Sequence, residues 1–135
     1  MSEELQRIML VEDDPDIRTV AGMALELVGG YTLRAVGSGA QALEAVAEFN
    51  PQLVLLDVMM PDMDGPGVLN ELRARPATSG IPVIFLTAKA HPEEIEKLRA
   101  LGAIEVIGKP FDPMTLPAAV EKAWLRWRGQ ARNTL

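Results

Sequence analysis

Five short apolar runs alternate with five amphipathic stretches along the chain, and this order limits the fold more than any other feature. The runs are Arg7–Val11, Tyr31–Val36, Leu53–Leu56, Ile81–Leu86 and Glu105–Ile107. Each is shorter than an ordinary helix and is bounded by acids, glycines or prolines. Residues 53–56 (LVLL) are apolar at every position, which suits a central parallel strand covered on both faces. Tyr31–Val36 alternates instead and suits a strand near a sheet edge. Between the runs, Ile17, Val20, Ala21, Ala24, Leu25 and Val28 recur at helical spacing and predict a helix over 16–28, stopped by Gly29-Gly30. Ser38 is a candidate N-cap for a helix over 39–49, which Asn50-Pro51 breaks. Further helices are expected over 66–75, over 93–101, and from Asp112-Pro113 to about Arg128. Strands alternating with helices imply an α/β fold: a (βα)5 doubly wound, five-stranded parallel sheet with helices on both faces.

Composition removes several functions. The chain has no cysteine and one histidine, so thiolate metal sites, cysteine nucleophiles and multi-histidine centres are excluded. No apolar run approaches the roughly 20 residues of a membrane span. The first residues, MSEELQR, lack the basic-then-apolar order of a signal peptide, so a cytoplasmic location is expected. The formal charge of −6 disfavours direct nucleic-acid binding. One domain over residues 5–127 is expected, followed by a polar tail at 128–135 that frays.

In a parallel α/β sheet the site lies where the carboxyl ends of the strands meet the following loops. The residues there are Glu12, Asp13 and Asp14 after the first strand, Asp57 after the third, Thr87 after the fourth and Lys109 after the fifth. Asp14 directly precedes Pro15 and is the better helix cap, which leaves Glu12 and Asp13 for metal chemistry. Carboxylates within about 5 Å of one another repel by several kcal/mol at an effective dielectric of about 20 or below. They take up protons unless a cation sits among them. Mg²⁺ fits such a set, with Mn²⁺ as an alternative: it takes one or two carboxylates, keeps waters and accepts phosphate oxygens. Lys109 is the natural counter-charge to Asp57, and a carboxylate is a competent nucleophile toward phosphorus.

The segments RIMLVEDDPDIR, LVLLDVMMPDMDG and VIFLTA, with the KPF of Lys109-Pro110-Phe111, resemble the receiver domain of bacterial two-component response regulators. The likeness to this CheY-like, flavodoxin-type family covers about residues 5–127. It implies that Asp57 is the phosphoacceptor, charged from a sensor histidine kinase or a histidine phosphotransfer protein. It implies a metal site of Asp13, Asp57 and the Met59 backbone carbonyl, with Glu12 acting through water. Thr87 would be the switch hydroxyl. Lys109 would pair first with Asp57 and then with the phosphoryl group, and Lys109-Pro110 would be a cis peptide. An unnamed downstream protein would read the switch, and the chain would be a monomer or weak dimer. It would be no enzyme beyond its own phosphotransfer and dephosphorylation.

The chain departs from the family at Val106, where many receivers carry Tyr or Phe. A valine has no ring to swing inward, so the relay to the last two helices is expected to differ. Two other functions use related chemistry. A haloacid-dehalogenase-like phosphatase places its nucleophile after the first strand with a second Asp two residues on; here Asp57 closes the third strand and residue 59 is Met. A flavodoxin-like cofactor binder needs a phosphate cradle where this chain has Glu12-Asp13-Asp14. A pseudo-receiver used only for docking is disfavoured by the intact acidic set. Lys89 is expected to border the site or to be a solvated loop residue. His91 is expected to ligate nothing. Of Trp124 and Trp127, one is expected to pack inward and one to reach the surface.

Overall fold

A computed structural model describes residues 3–133, with side chains as far as Gln130 at the C-terminal end. The strands are β1 (Arg7–Val11), β2 (Thr32–Val36), β3 (Leu53–Asp57), β4 (Val83–Thr87) and β5 (Glu105–Gly108). They form one parallel sheet in the order β2-β1-β3-β4-β5. The alternating strand, β2, is at the edge, and the all-apolar strand, β3, is central and buried throughout. The helices are α1 (Pro15–Met23), continued by a π-helical turn at Ala24–Val28, then α2 (Gly39–Phe49), α3 (Gly65–Ala74), α4 (Pro92–Ala100) and α5 (Leu116–Asn133).

Successive strand side chains point to opposite faces, so the sheet builds two cores. Ile8, Leu10, Leu53, Leu55, Ile84 and Leu86 pack against Ala21 and Leu25 on one side of the chain's first helical segment, and against Val120, Ala123 and Trp124 of α5. Met9, Val11, Val54, Leu56, Val83 and Phe85 pack against Ala42 and Val46 of α2, Val68, Leu69 and Leu72 of α3, and Leu98 of α4. Of the residues at helical spacing in the first helix, Ala21, Ala24 and Leu25 cover the sheet, whereas Val20 and Val28 are 44% and 49% exposed, because the apolar stripe is wider than the face the sheet covers.

The caps explain the helix starts. The Asp14 carboxylate accepts from the Asp16 and Ile17 amides, and Pro15 follows at the first helical position. Ser38 Oγ accepts from Gln41 N at 3.1 Å, as expected. Asn50 ends α2 in the left-handed region at φ 52°, a conformation Asn tolerates well among non-glycine residues.

Three regions differ from the sequence reading by more than a one-residue shift of a boundary. The first helix widens into the π turn, where Gly29 N donates to Ala24 O at 3.0 Å. The apolar spacing of Ala24, Leu25 and Val28 fits either turn type, so nothing in the sequence marks it. The fourth strand begins at Val83, because Ile81 N is used in a turn with Thr78 O. The last helix begins at Leu116, after a turn in which Asp112 Oδ1 accepts from Met114 N, and it continues to Asn133 rather than stopping near Arg128. Elongating a formed helix costs little, and Gln130 is a good helix former. Thr134 and Leu135, the end of the expected polar tail, lie outside the described residues. Among the described residues no helix is long and apolar enough to cross a membrane.

Candidate functional site

The sheet order reverses between β1 and β3: β2 lies on one side of β1, and β3, β4 and β5 lie on the other. Such a switch point opens a crevice at the carboxyl ends of the two strands. Glu12 and Asp13 leave β1 into that crevice, and Asp57 closes β3 beside them. Glu12, Asp13 and Asp57 each offer a carboxylate oxygen within 4.8 Å of the others. Glu12 and Asp57 are buried and Asp13 is partly exposed. Arg18 of α1 steadies the turn after β1, donating from Nη1 to the Glu12 carbonyl at 2.9 Å.

Lys109 reaches this group from the loop after β5. Its Nζ donates to Asp57 Oδ1 at 2.9 Å and lies 2.7 Å from Glu12 Oε1. Glu12 Oε1 is buried, and the Lys109 ammonium is its ionic partner. The sequence placed Lys109 against Asp57; its second contact, to Glu12, was not foreseen. The Lys109-Pro110 peptide is cis, as expected.

Two of the three clustered carboxylates thus share one ammonium. Burial is the chief cause that pushes the Asp57 carboxyl up to about 7; the Lys109 hydrogen bond opposes this, while Asp13 and Glu12 add to it. Burial pulls on Lys109 in the opposite sense, but its two carboxylate partners outweigh it and leave the ammonium pKa raised.

Thr87 ends β4, buried, on the strand between Asp57 and Lys109. Its neighbour Leu86 is the register partner of Asp57, and Lys109 N donates to the Thr87 carbonyl at 2.8 Å. The Thr87 hydroxyl oxygen accepts from Lys89 N at 3.0 Å. Lys89 therefore borders Thr87 through its backbone, while its side chain is exposed. Met59, two residues past Asp57, has an exposed side chain. Met60 is buried and Met63 packs on the core, so the methionines of this loop serve packing and loop roles. His91 begins α4 and is outside the acidic group.

The β3–α3 loop is closed at its base by Gly65, whose N donates to Val58 O at 2.8 Å. A Cβ at Gly65 would lie 2.6 Å from Asp57 O, 2.9 Å from Phe85 and 3.0 Å from Val58 Cα. Two of these are backbone atoms that have nowhere to go. Gly65→Ala is expected to destabilise the protein by about 1–3 kcal/mol, read as a drop in melting temperature by circular dichroism.

Residues 8–121 match the family model described as the response regulator receiver domain. The chain belongs to that family. The receiver is 43% identical over 110 residues to a protein of Vibrio cholerae named for cyclic di-GMP phosphodiesterase activity, covering 82% of this chain and 24% of that one. It is 41% identical over 115 residues to the DNA-binding response regulator MtrA of Mycolicibacterium smegmatis, covering 85% of this chain and 49% of that one. The chain spans half or less of the length of these relatives. The receiver superposes on the Vibrio cholerae chemotaxis protein CheY4 with a TM-score of 0.81 at 26% identity, covering 89% of this chain and 99% of that one. A response regulator from Desulfuromonas acetoxidans gives 0.79 at 29% identity, covering 88% and 96%.

Proposed function

We propose that this receiver takes a phosphoryl group onto Asp57 from a phosphohistidine of a sensor histidine kinase or a histidine phosphotransfer protein. The observation that carries the reading is Lys109 Nζ in contact with both Glu12 and Asp57, with Asp13 in the same cluster, at the switch point of the sheet. One Asp57 oxygen attacks phosphorus in line. The new P–O bond forms as the P–N bond to the donor imidazole breaks, and the imidazole leaves with the electron pair and takes a proton. There is little covalent work for the protein beyond positioning and charge stabilisation. Lys109 keeps its ammonium at the nucleophile and follows the charge onto a phosphoryl oxygen. The Thr87 hydroxyl donates to another phosphoryl oxygen, which shifts β4 and the loop after it. Water later attacks the acyl phosphate, returning the carboxylate and inorganic phosphate.

The residues fit a divalent metal. Three clustered carboxylates with a single ammonium against two of them form a hard oxygen donor set short of positive charge. Asp13, Asp57 and the Met59 backbone carbonyl would hold Mg²⁺ or Mn²⁺, with Glu12 acting through water; when bound, the ion supplies positive charge to the phosphoryl oxygens.

The unit over residues 5–127 acts in the cytoplasm as a switch rather than an enzyme on external substrates, as a monomer or weak dimer that binds no nucleic acid. Its output passes to a downstream protein or an attached domain. Val106 is half-buried against the core and has no ring to move. The face beside it is tied instead by Glu105, whose carboxylate pairs with Arg99 of α4 and Arg126 of α5. These pairs are partly exposed and break at modest cost.

Incubated with Mg²⁺ and a small phosphodonor, the protein should gain the mass of one phosphate, mapped to the peptide holding Asp57, and a chelator should abolish the gain. Label on a Ser, a Thr or His91 would overturn the mechanism.

A further inference from the structure

We propose that Asp62 is a positioning residue for the metal pocket: it fastens the β3–α3 loop, and with it the Met59 carbonyl, to the N-terminus of α2. The inference rests on the metal site proposed above. Met59 is exposed and sits in a loop of seven residues, 58–64, between β3 and α3. A backbone carbonyl on such a loop is a useful ligand only if something fixes it. The base of the loop is tied by Gly65 N to Val58 O, and its far end by Asp64, which accepts from Gly67 N at 2.8 Å. Asp62 supplies the tie in the middle, to a different element. Its Oδ1 accepts from Gly39 N at 3.4 Å and its Oδ2 from Ala40 N at 3.1 Å.

A helix begins with four amide groups that have no partner within it. In α2, Gln41 N is capped by Ser38 Oγ, and the first bond within the helix runs from Ala42 N to Ser38 O. Two more of the unpartnered amides, Gly39 N and Ala40 N, go to Asp62. Half of the amides left open at the start of α2 are therefore bonded by the β3–α3 loop. The fit is close: a Cβ at Gly39 would lie 2.9 Å from Val68 and 3.0 Å from Met63 Cβ. The backbone hydrogen bonds from Ala40, Met63 and Gly39 hold the Asp62 carboxyl below its usual range, in keeping with an anion at a helix start. The next residue, Met63, packs into the core, so the loop is pinned by a charge on one side and an apolar anchor on the other.

Outer partners that orient metal ligands typically cost 10–100-fold in metal affinity when removed. Asp62→Ala is expected to weaken Mg²⁺ binding by roughly tenfold, measured by isothermal titration calorimetry. Asp62→Asn, which keeps one acceptor oxygen, should fall between. Ser38→Ala removes a cap from the same turn of α2 without touching the loop. It should lower the melting temperature and leave Mg²⁺ affinity unchanged. Wild-type Mg²⁺ affinity in Asp62→Ala would overturn the assignment, as would an equal loss in Ser38→Ala, which would make the effect one of helix stability. A wild-type protein with no affinity for Mg²⁺ would overturn the underlying metal site instead.

Discussion

Lys109→Met is expected to lower the melting temperature of the metal-free protein by about 10 °C at pH 8, and to slow phosphoryl uptake by about a hundredfold. Methionine keeps the apolar stem and removes the charge. The Lys109 side chain is 15% exposed, and its ammonium meets the carboxylates of Glu12 and Asp57, which are 0% and 3% exposed. Taking one partner from a buried ion pair leaves the other uncompensated, at a cost of about 3–5 kcal/mol. Asp57 recovers part of that by taking a proton, which places the loss at the lower end. The same escape makes the effect depend on pH. At pH 5 a proton on Asp57 takes over part of the role of the ammonium, and the deficit should shrink. Melting curves of wild type and variant in chelator at the two pH values check both points. An unchanged melting temperature at pH 8 would mean that the ammonium is not what holds these carboxylates together.

The sequence showed most of this fold because its local signals agree with one another. Apolar runs of strand length, helical spacing between them, and caps at Asp14 and Ser38 all point to the same elements, and the structure has them. The strand-end rule then placed Glu12, Asp13, Asp57, Thr87 and Lys109 on one edge without any knowledge of contacts. What stayed hidden depends on direction and reach in three dimensions. That Lys109 spans two carboxylates rather than one follows from the turn after β5, not from its position in the chain. The tie made by Asp62 has no sequence signal, because its partners, Gly39 and Ala40, are 23 and 22 residues away and donate through backbone amides. The π turn after α1 was illegible for a different reason: Leu25 and Val28 fit a helix of either pitch, and the wider turn shows in backbone hydrogen bonds such as that from Gly29 to Ala24. The two tryptophans behaved as their spacing suggests: Trp124 is buried, Trp127 is half-buried, and their rings lie 5.4 Å apart.

Asp57→Asn is expected to abolish phosphoryl uptake and, in the same protein, to remove most of the pH dependence of stability between pH 4 and 7. Loss of uptake follows because an amide oxygen is a poor nucleophile and the covalent step has no other carboxylate in its place. The stability effect follows from linkage. In the unfolded chain an Asp carboxyl holds its proton only below about 3.9; in the folded protein Asp57 holds it up to about 7. Between those values the folded state binds more protons than the unfolded state, so stability falls as pH rises. The other shifted groups act elsewhere: Asp62 is lowered and matters only in acid, Lys109 is raised and matters only in strong alkali, and Tyr31, pushed up to about 12 by burial and by Glu121, does likewise. Metal-free wild type should therefore melt at a lower temperature at pH 8 than at pH 5, by about 10 °C. Asn removes the charge whose burial and carboxylate neighbours are unfavourable, so the variant should melt above wild type at pH 8 despite losing the charged partner of Lys109. Mg²⁺ binds the ionised form and competes with the proton. It should raise the wild-type melting temperature strongly at pH 8, weakly at pH 5, and little in the variant at either. A metal-free wild type that grows more stable from pH 5 to pH 8 would mean that Asp57 is already ionised in acid, and that the repulsion a divalent ion relieves is absent.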